Sequence, residues 1–157
     1  MKRTRNVLML AALVTLSIFM SCGGGGGGPS KTDGELLVEA LISNTWTVNT
    51  SSTSVDNVNG TFDESAFSVT FSGTTSAMNY ALSGGGLSDY VSGGTFTVDD
   101  DANIGSPTVN VVGSVRTGSV TSLIVNSTQT SVRIVLEVDE NEARLTGIGT
   151  YTLVFDI

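Results

Sequence analysis

Apolar and polar residues alternate along most of the chain after residue 46, the pattern of strands with one buried face. The clearest run spans residues 131–139, where four aliphatic side chains share one face: Val132, Ile134, Leu136 and Val138. Residues 67–71 and 78–82 repeat the pattern with larger side chains, and shorter stretches near residues 97, 110 and 124 continue it more weakly. The alternation predicts about eight short strands.

The final segment, residues 144–157, is expected to form one long strand because a single parity holds throughout it. Its inward positions are Leu145, Gly147, Gly149, Tyr151, Leu153, Phe155 and Ile157. Two glycines on one face of a strand suit a sheet that bends. Glycine pairs elsewhere, such as Gly93 and Gly94, are interpreted as turns. These features predict an all-β fold, an antiparallel up-and-down meander closed as a barrel or folded as a β-sandwich.

One helix is predicted ahead of the strands, over residues 34–43. Apolar side chains at helical spacing define its buried face: Leu36, Leu37, Ala40 and Leu41. Asp33 stands where a helix cap is expected, and the acidic side chains at positions 35 and 39 fall on the opposite face. The helix is expected to cover one end of the β domain.

The amino-terminal segment has the layout of an export signal. Lys2, Arg3 and Arg5 precede a nearly unbroken apolar run over residues 7–20. This run is shorter than the roughly 20 residues that a membrane-spanning helix needs. It ends at Ser21 and Cys22, the sole cysteine of the chain, and glycines 23–28 follow as a flexible tether.

The stretch that ends in Ser21 and Cys22 resembles the lipobox of bacterial lipoproteins, in which an aliphatic residue and two small ones precede a cysteine. The resemblance implies removal of residues 1–21 and attachment of diacylglycerol and a further acyl chain, such as palmitate, to Cys22. Residues 22–32 are then a membrane tether, and residues 33–157 are a single domain. Gly23 in place of aspartate implies sorting to the outer membrane, on either face. The alternative is an ordinary signal peptide that leaves Cys22 as a free thiol.

Residues 33–157 also resemble the lipocalin-like domains of small bacterial lipoproteins, through the leading helix, Trp46 at the opening of the first strand and about eight alternating strands. Trp46 is expected in the core, at the floor of the barrel. The resemblance implies that a small apolar ligand binds inside. Its candidate contacts are Phe67, Phe71, Tyr151 and Phe155.

Charge and composition exclude several functions. Fifteen acidic residues and four basic ones follow Ser21, so the exported part carries a net charge of −11, which argues against nucleic-acid partners. The chain has no histidine, the commonest general base and metal ligand. Asp63 and Glu64, Glu137 or Asp139 could form the acid pair of a hydrolase, but their spacing selects no pair.

We therefore expect a protein that is not an enzyme and has neither metal nor cofactor. The acidic residues 99–101 lack the glycine and glutamate of a calcium loop and are interpreted as a solvated turn. An alternative function is a glycan-binding, envelope-interaction or structural module that uses a flat face of the sheet or the glycine-rich residues 83–94, with Tyr90 exposed for stacking. A filled core favours this alternative, and an internal cavity favours the small apolar ligand.

Overall fold

The structure, a computed structural model, describes residues 30–56, 58–140 and 147–157. The signal segment, Cys22, glycines 23–28 and Leu145 lie outside the described residues. One compact unit spans Lys31–Ile157. Its helix is α1 (Asp33–Ser43), and its strands are β1 (Trp46–Val48), β2 (Ser54–Asp56), β3 (Ser68–Thr74), β4 (Ala77–Ser83), β5 (Val91–Val98), β6 (Ile104–Gly105), β7 (Asn110–Val111), β8 (Arg116–Val125), β9 (Ser131–Glu140) and β10 (Gly149–Asp156).

All strand pairs are antiparallel, and eight of the described strands follow one another in the order β6-β5-β4-β3-β1-β10-β9-β8. β1 pairs with β3 on one side and with β10 on the other, so the first and last strands of the domain are neighbours. This pairing wraps a single sheet into a nearly closed barrel. The predicted all-β meander is confirmed, with the lipocalin-like barrel rather than a sandwich as its form.

The barrel remains open along one line, which we call the seam. β6 and β7 both pair with β5 and lie on one side of it. β8 lies on the other side and pairs with β9. No strand pairing crosses the seam within the described residues.

Side chains at alternate strand positions fill the interior. The predicted inward positions on β3, β4 and β9 are all buried: Val69, Phe71, Met78, Tyr80, Leu82, Val132, Ile134, Leu136 and Val138. On β10, Tyr151, Leu153 and Phe155 are buried as predicted, but the exposed fraction of Ile157 is 57%. β10 ends before this residue, whose N–H donates to the Thr130 carbonyl at 3.2 Å.

α1 closes one end of the barrel, and Trp46 lies beneath it. The indole N–H of Trp46 donates to the Leu41 carbonyl at 2.9 Å, and its ring packs edge-on against Phe71 at 5.9 Å between centroids. Trp46 is therefore a core residue, as predicted. We call this end the helix end. The opposite end, where β5, β8 and β10 begin, is the loop end.

The helix differs from the prediction in its cap and in its buried face. Thr32, rather than Asp33, is the N-cap, and Thr32 and Glu35 form a reciprocal capping box. The buried residues are Gly34, Leu37, Val38 and Leu41, whereas Leu36 is 45% exposed.

Gly34 explains this rotation of α1. Its N–H donates to the Asp100 carbonyl at 3.1 Å, and a Cβ at this position would lie 2.0 Å from the Asp99 carbonyl oxygen. The helix can approach the β5–β6 turn this closely only with a glycine facing inward. Leu36 is consequently turned towards solvent.

Gly93 and Gly94 lie within β5, so their interpretation as a turn is wrong. Both are buried and pair with β4. A Cβ on Gly94 would lie 1.9 Å from the Thr108 carbonyl oxygen and 2.7 Å from the Tyr80 hydroxyl oxygen. The glycine thus leaves room for the Tyr80 hydroxyl, which donates to the Thr108 carbonyl at 2.6 Å.

The first strand is interrupted, and Thr53 bridges the interruption. β1 and β2 both pair with β10, but residues 49–53 loop out between them. The buried Thr53 hydroxyl accepts from the Val154 N–H at 3.0 Å and donates to the Val154 carbonyl at 3.2 Å. The Thr53 hydroxyl thus takes the place of a backbone carbonyl as the acceptor for the Val154 N–H.

We expect Thr53→Val to lower the free energy of unfolding by about 1–3 kcal/mol, because it leaves the buried Val154 N–H without its hydroxyl acceptor. Urea unfolding at pH 7 measures the change. Thr53→Ser keeps the hydroxyl and serves as the control. A valine variant as stable as the serine variant would contradict this role for the hydroxyl.

Candidate functional site

The four predicted ligand contacts are all buried, with Phe67 and Tyr151 nearer the loop end and Phe71 and Phe155 nearer the helix end. Phe71 packs edge-on against Phe96 at 6.3 Å between centroids. It also lines, with Trp46, a hollow of about 420 Å³ between the end of α1 and β3. The four side chains are therefore distributed along the length of the barrel, within its packed interior.

An aromatic cluster with one arginine lies at the loop end. The Phe62 ring packs against Tyr90 at 5.4 Å and edge-on against Tyr151 at 5.8 Å between centroids. The guanidinium carbon of Arg116 lies 5.1 Å from the centroid of the Tyr90 ring, within cation–π range. Tyr90 is half-buried, rather than exposed as a stacking platform requires.

The buried tyrosines act as hydrogen-bond donors. The Tyr151 hydroxyl donates to the Gly147 carbonyl at 2.8 Å. Burial is the main cause that raises the pKa of both Tyr80 and Tyr151 above the ordinary value. Both phenols therefore stay protonated at neutral pH and can donate these hydrogen bonds.

The acidic turn between β5 and β6 is organised around Asp99. Its carboxylate accepts from the backbone N–H groups of Asp101 and Asn103 at 3.0 and 2.8 Å, and from the Asn103 side-chain amide at 2.9 Å. The Asn103 amide is the leading cause that holds the pKa of Asp99 below its usual value. The turn thus satisfies this carboxylate from within.

We expect acid to destabilise the domain partly through Asp99. Its pKa is lower in the folded chain than in the unfolded chain, so its stabilisation is complete above the unfolded value of about 4 and is lost as the pH falls through the folded value. Asp99→Asn should therefore flatten the dependence of the free energy of unfolding on pH below about pH 4. Urea unfolding across this range measures it, and an Asp99→Asn curve parallel to the wild-type curve would contradict it.

Asp100→Asn is the control for this experiment, because no hydrogen bond to the Asp100 carboxylate is found among the described residues. Part of the acid response should persist in both variants. Hydrogen bonds from Ser131 and Asn49 also lower the pKa of Asp156.

The remaining acidic candidates lie at a short 3-10 turn and on β9. Asp63 caps a short 3-10 turn, where its carboxylate accepts from the Ser65 N–H at 3.1 Å. Glu137 and Asp139 lie exposed on β9. Within residues 30–56, 58–140 and 147–157, no group of three or more acidic, cysteine or histidine side chains is arranged to hold a metal ion.

The helix-end half of the seam forms a groove, which we call the seam groove, and its lining is part apolar and part polar, the polar residues being Asn103, Asn126, Ser127 and Gln129. Two hollows of about 150 and 270 Å³ share Ala102, Ile104 and Val125 among their lining residues. Leu123 and Ile124 of β8 line the larger hollow, and Leu37 of α1 lines the smaller one. The groove therefore runs between the edges of two strands and reaches the helix.

Sequence reasoning missed both the seam groove and Arg116. Ile104 belongs to a strand of only two residues, too short for an alternating pattern to reveal. Arg116 is one of only four basic residues that follow Ser21, and this rarity could have singled it out. Arg116 is the first residue of β8 and Tyr90 directly precedes β5, so their contact joins segments that are distant in the sequence and cannot be read from a local pattern.

Fold and site together define a small antiparallel β-barrel with a helix across one end and a groove of apolar and polar side chains along its open seam. No family model matches the chain, and no match was found among curated proteins or solved structures. In the described part of the chain, no helix has the length and apolar character needed to span a membrane.

Proposed function

We propose that this chain is a lipid-anchored protein of the outer membrane, held through acyl chains on Cys22, and that its barrel is a non-enzymatic binding module. Support for the anchor comes from Ser21 and Cys22 behind the apolar residues 7–20. Eight residues, six of them glycine, separate Cys22 from Lys31, where the compact unit begins. Fully extended, this tether would span at most about 30 Å, enough to hold the domain clear of the lipid headgroups.

The non-enzymatic role is supported by the ionisable groups. Among the described residues, the clear pKa shifts are upward for Tyr80 and Tyr151 and downward for Asp99 and Asp156. The raised pKa values favour the neutral phenols that tyrosines have at pH 7, and the lowered pKa values favour the charged carboxylates that aspartates have at pH 7. General acids and bases are instead tuned towards the working pH.

The observation that carries the binding role is the contrast between the filled interior and the open seam. Phe67, Phe71, Tyr151 and Phe155 are packed inside, whereas the seam groove presents apolar side chains at the surface. A protein interaction at the seam is therefore our first candidate. A small apolar ligand is the second, because aliphatic side chains form part of the groove lining. Glycan stacking has less support, since Arg116 and Phe62 lie against the Tyr90 ring.

Intact-mass measurement of the protein extracted from membranes tests the anchor. We expect a chain that begins at Cys22 and carries a diacylglycerol and one further acyl chain. A mass without lipid would overturn the anchor. Native mass spectrometry of the same sample tests the second candidate, which requires a small molecule that remains bound to the domain.

A further inference from the structure

The seam groove lies between two strand edges that have no strand partner in the described structure. β8 pairs with β9 through one edge, and β6 pairs with β5 through one edge. Their other edges face each other across the groove, where Ile104 and Leu123 line the same hollow. An unpaired strand edge presents a row of backbone N–H and C=O groups that can pair with another strand.

Only the helix-end half of the seam is open in this way. At the loop-end half, Val109 and Val111 on the β7 side pack closely against Gly118 of β8. A Cβ added to Gly118 would lie 2.9 Å from a methyl carbon of Val109 and 2.6 Å from a methyl carbon of Val111. A register shift between Val120 and Ser122 marks a bulge in β8 beyond this contact. Past the bulge, Leu123 and Val125 border the groove.

We propose that the seam groove binds an extended segment of a partner protein as an added β-strand. This inference deepens the proposed binding role and depends on it. Backbone groups at both edges can pair with an occupant that has its own N–H and C=O groups, which an acyl chain lacks. Leu37, Ile104 and Val125 favour apolar side chains at alternate positions of that segment.

Charge and strand direction define the segment further. An added strand antiparallel to β8 forms the more stable ladder, and β8 runs towards the helix end. The amino end of the segment then lies beside Asp100 and Asp101, which are exposed in the turn that leads into the groove lining at Ala102. We therefore assign the groove to a segment with basic residues at its amino end, followed by alternating apolar residues.

The test uses the full mature chain in detergent and a fluorescent peptide, Lys-Lys-Val-Thr-Val-Thr-Val-Ser, followed by anisotropy. Saturable binding is expected. Moving both lysines to the carboxyl end should weaken binding about tenfold, because they then lie away from Asp100 and Asp101. Proline in place of the central valine should weaken binding by at least about tenfold, because it removes a backbone donor and disrupts strand pairing.

Protein variants locate the binding site. Ile104→Lys should weaken binding of the lysine-first peptide at least about tenfold, by placing a charge in the groove. Ile42→Lys changes an exposed isoleucine on α1 that does not line the groove, and it should leave binding unchanged. Asp100→Asn combined with Asp101→Asn should remove the preference for lysines at the amino end. Because this double variant alters only exposed side chains, it keeps the test valid if Ile104→Lys fails to fold.

Several outcomes would overturn the inference. Absence of peptide binding would do so, as would equal binding of the proline peptide or an unaltered affinity in folded Ile104→Lys. Binding of palmitate, but not of the peptide, would assign the groove to small apolar ligands instead. Self-association through the groove, abolished by Ile104→Lys, would assign it to a second copy of this chain. The full chain with Cys22→Ala should bind the peptide as the wild type does, which separates failure of the anchor from failure of the groove.

Discussion

Replacing Cys22 by alanine is expected to move the protein from the membrane fraction to the soluble fraction, with its domain still folded. Each acyl methylene buried in a bilayer contributes about 0.8 kcal/mol, so the loss of several chains removes nearly all of the membrane affinity. The net charge of −11 offers no electrostatic substitute at an anionic surface. The compact unit Lys31–Ile157 has its own core, so folding should not depend on the lipid.

Fractionation of cells that express wild-type and Cys22→Ala chains measures the redistribution. Circular dichroism of the soluble variant checks that the β domain is folded. Ser30→Ala, a change in the tether that leaves the cysteine intact, is the control and should stay with the membrane. Intact mass shows whether residues 1–21 have been removed from the variant, because a retained apolar run over residues 7–20 would hold the chain at the membrane by itself. A cleaved Cys22→Ala chain that remains membrane-bound would refute lipidation at this residue as the anchor.

Phe96→Ala should lower the free energy of unfolding by about 3–5 kcal/mol. Phe96 is 1% exposed and lies between Phe71 and Tyr80, with ring centroids 6.3 and 6.4 Å away. Its removal leaves a large void in a packed interior, which the surrounding strands can fill only in part. Domains of this size are stable by about 5–15 kcal/mol in total, so the variant should be close to unfolding.

Urea unfolding followed through the fluorescence of Trp46, the sole tryptophan, measures the loss for Phe96→Ala. Leu36→Ala changes a side chain that is 45% exposed, and it should shift the free energy of unfolding by no more than about 0.5 kcal/mol. Equal stability of the two variants would contradict the conclusion that Phe96 fills space in the packed interior.

The alternating pattern was sufficient to predict the barrel, because burial on one face of a sheet repeats every two residues. Val132, Ile134, Leu136 and Val138 illustrate this, since all four are fully buried. Trp46 was also predicted in its observed core position.

The predictions failed where contacts between distant segments decide the local structure. Leu36 has helical spacing, but Gly34 must face the β5–β6 turn, and α1 rotates accordingly. Gly94 has the appearance of a turn residue, yet it gives Tyr80 room inside a strand. The seam groove exists because β6 and β8 do not pair with each other. The absence of a strand pair cannot be predicted from the residues of either strand alone.

The adjacency of β1 and β10 has a consequence for the order of events during folding. β10, the last of the described strands along the chain, pairs with β1, β2 and β9, so closure requires contacts between the two ends of the barrel. Folds dominated by such long-range contacts form slowly, because a long loop must close before any gain in stability. During synthesis, the barrel cannot close until β10 has left the ribosome. If the chain is exported as we propose, the late arrival of this strand would favour an unfolded chain during export, with folding completed on the far side of the membrane.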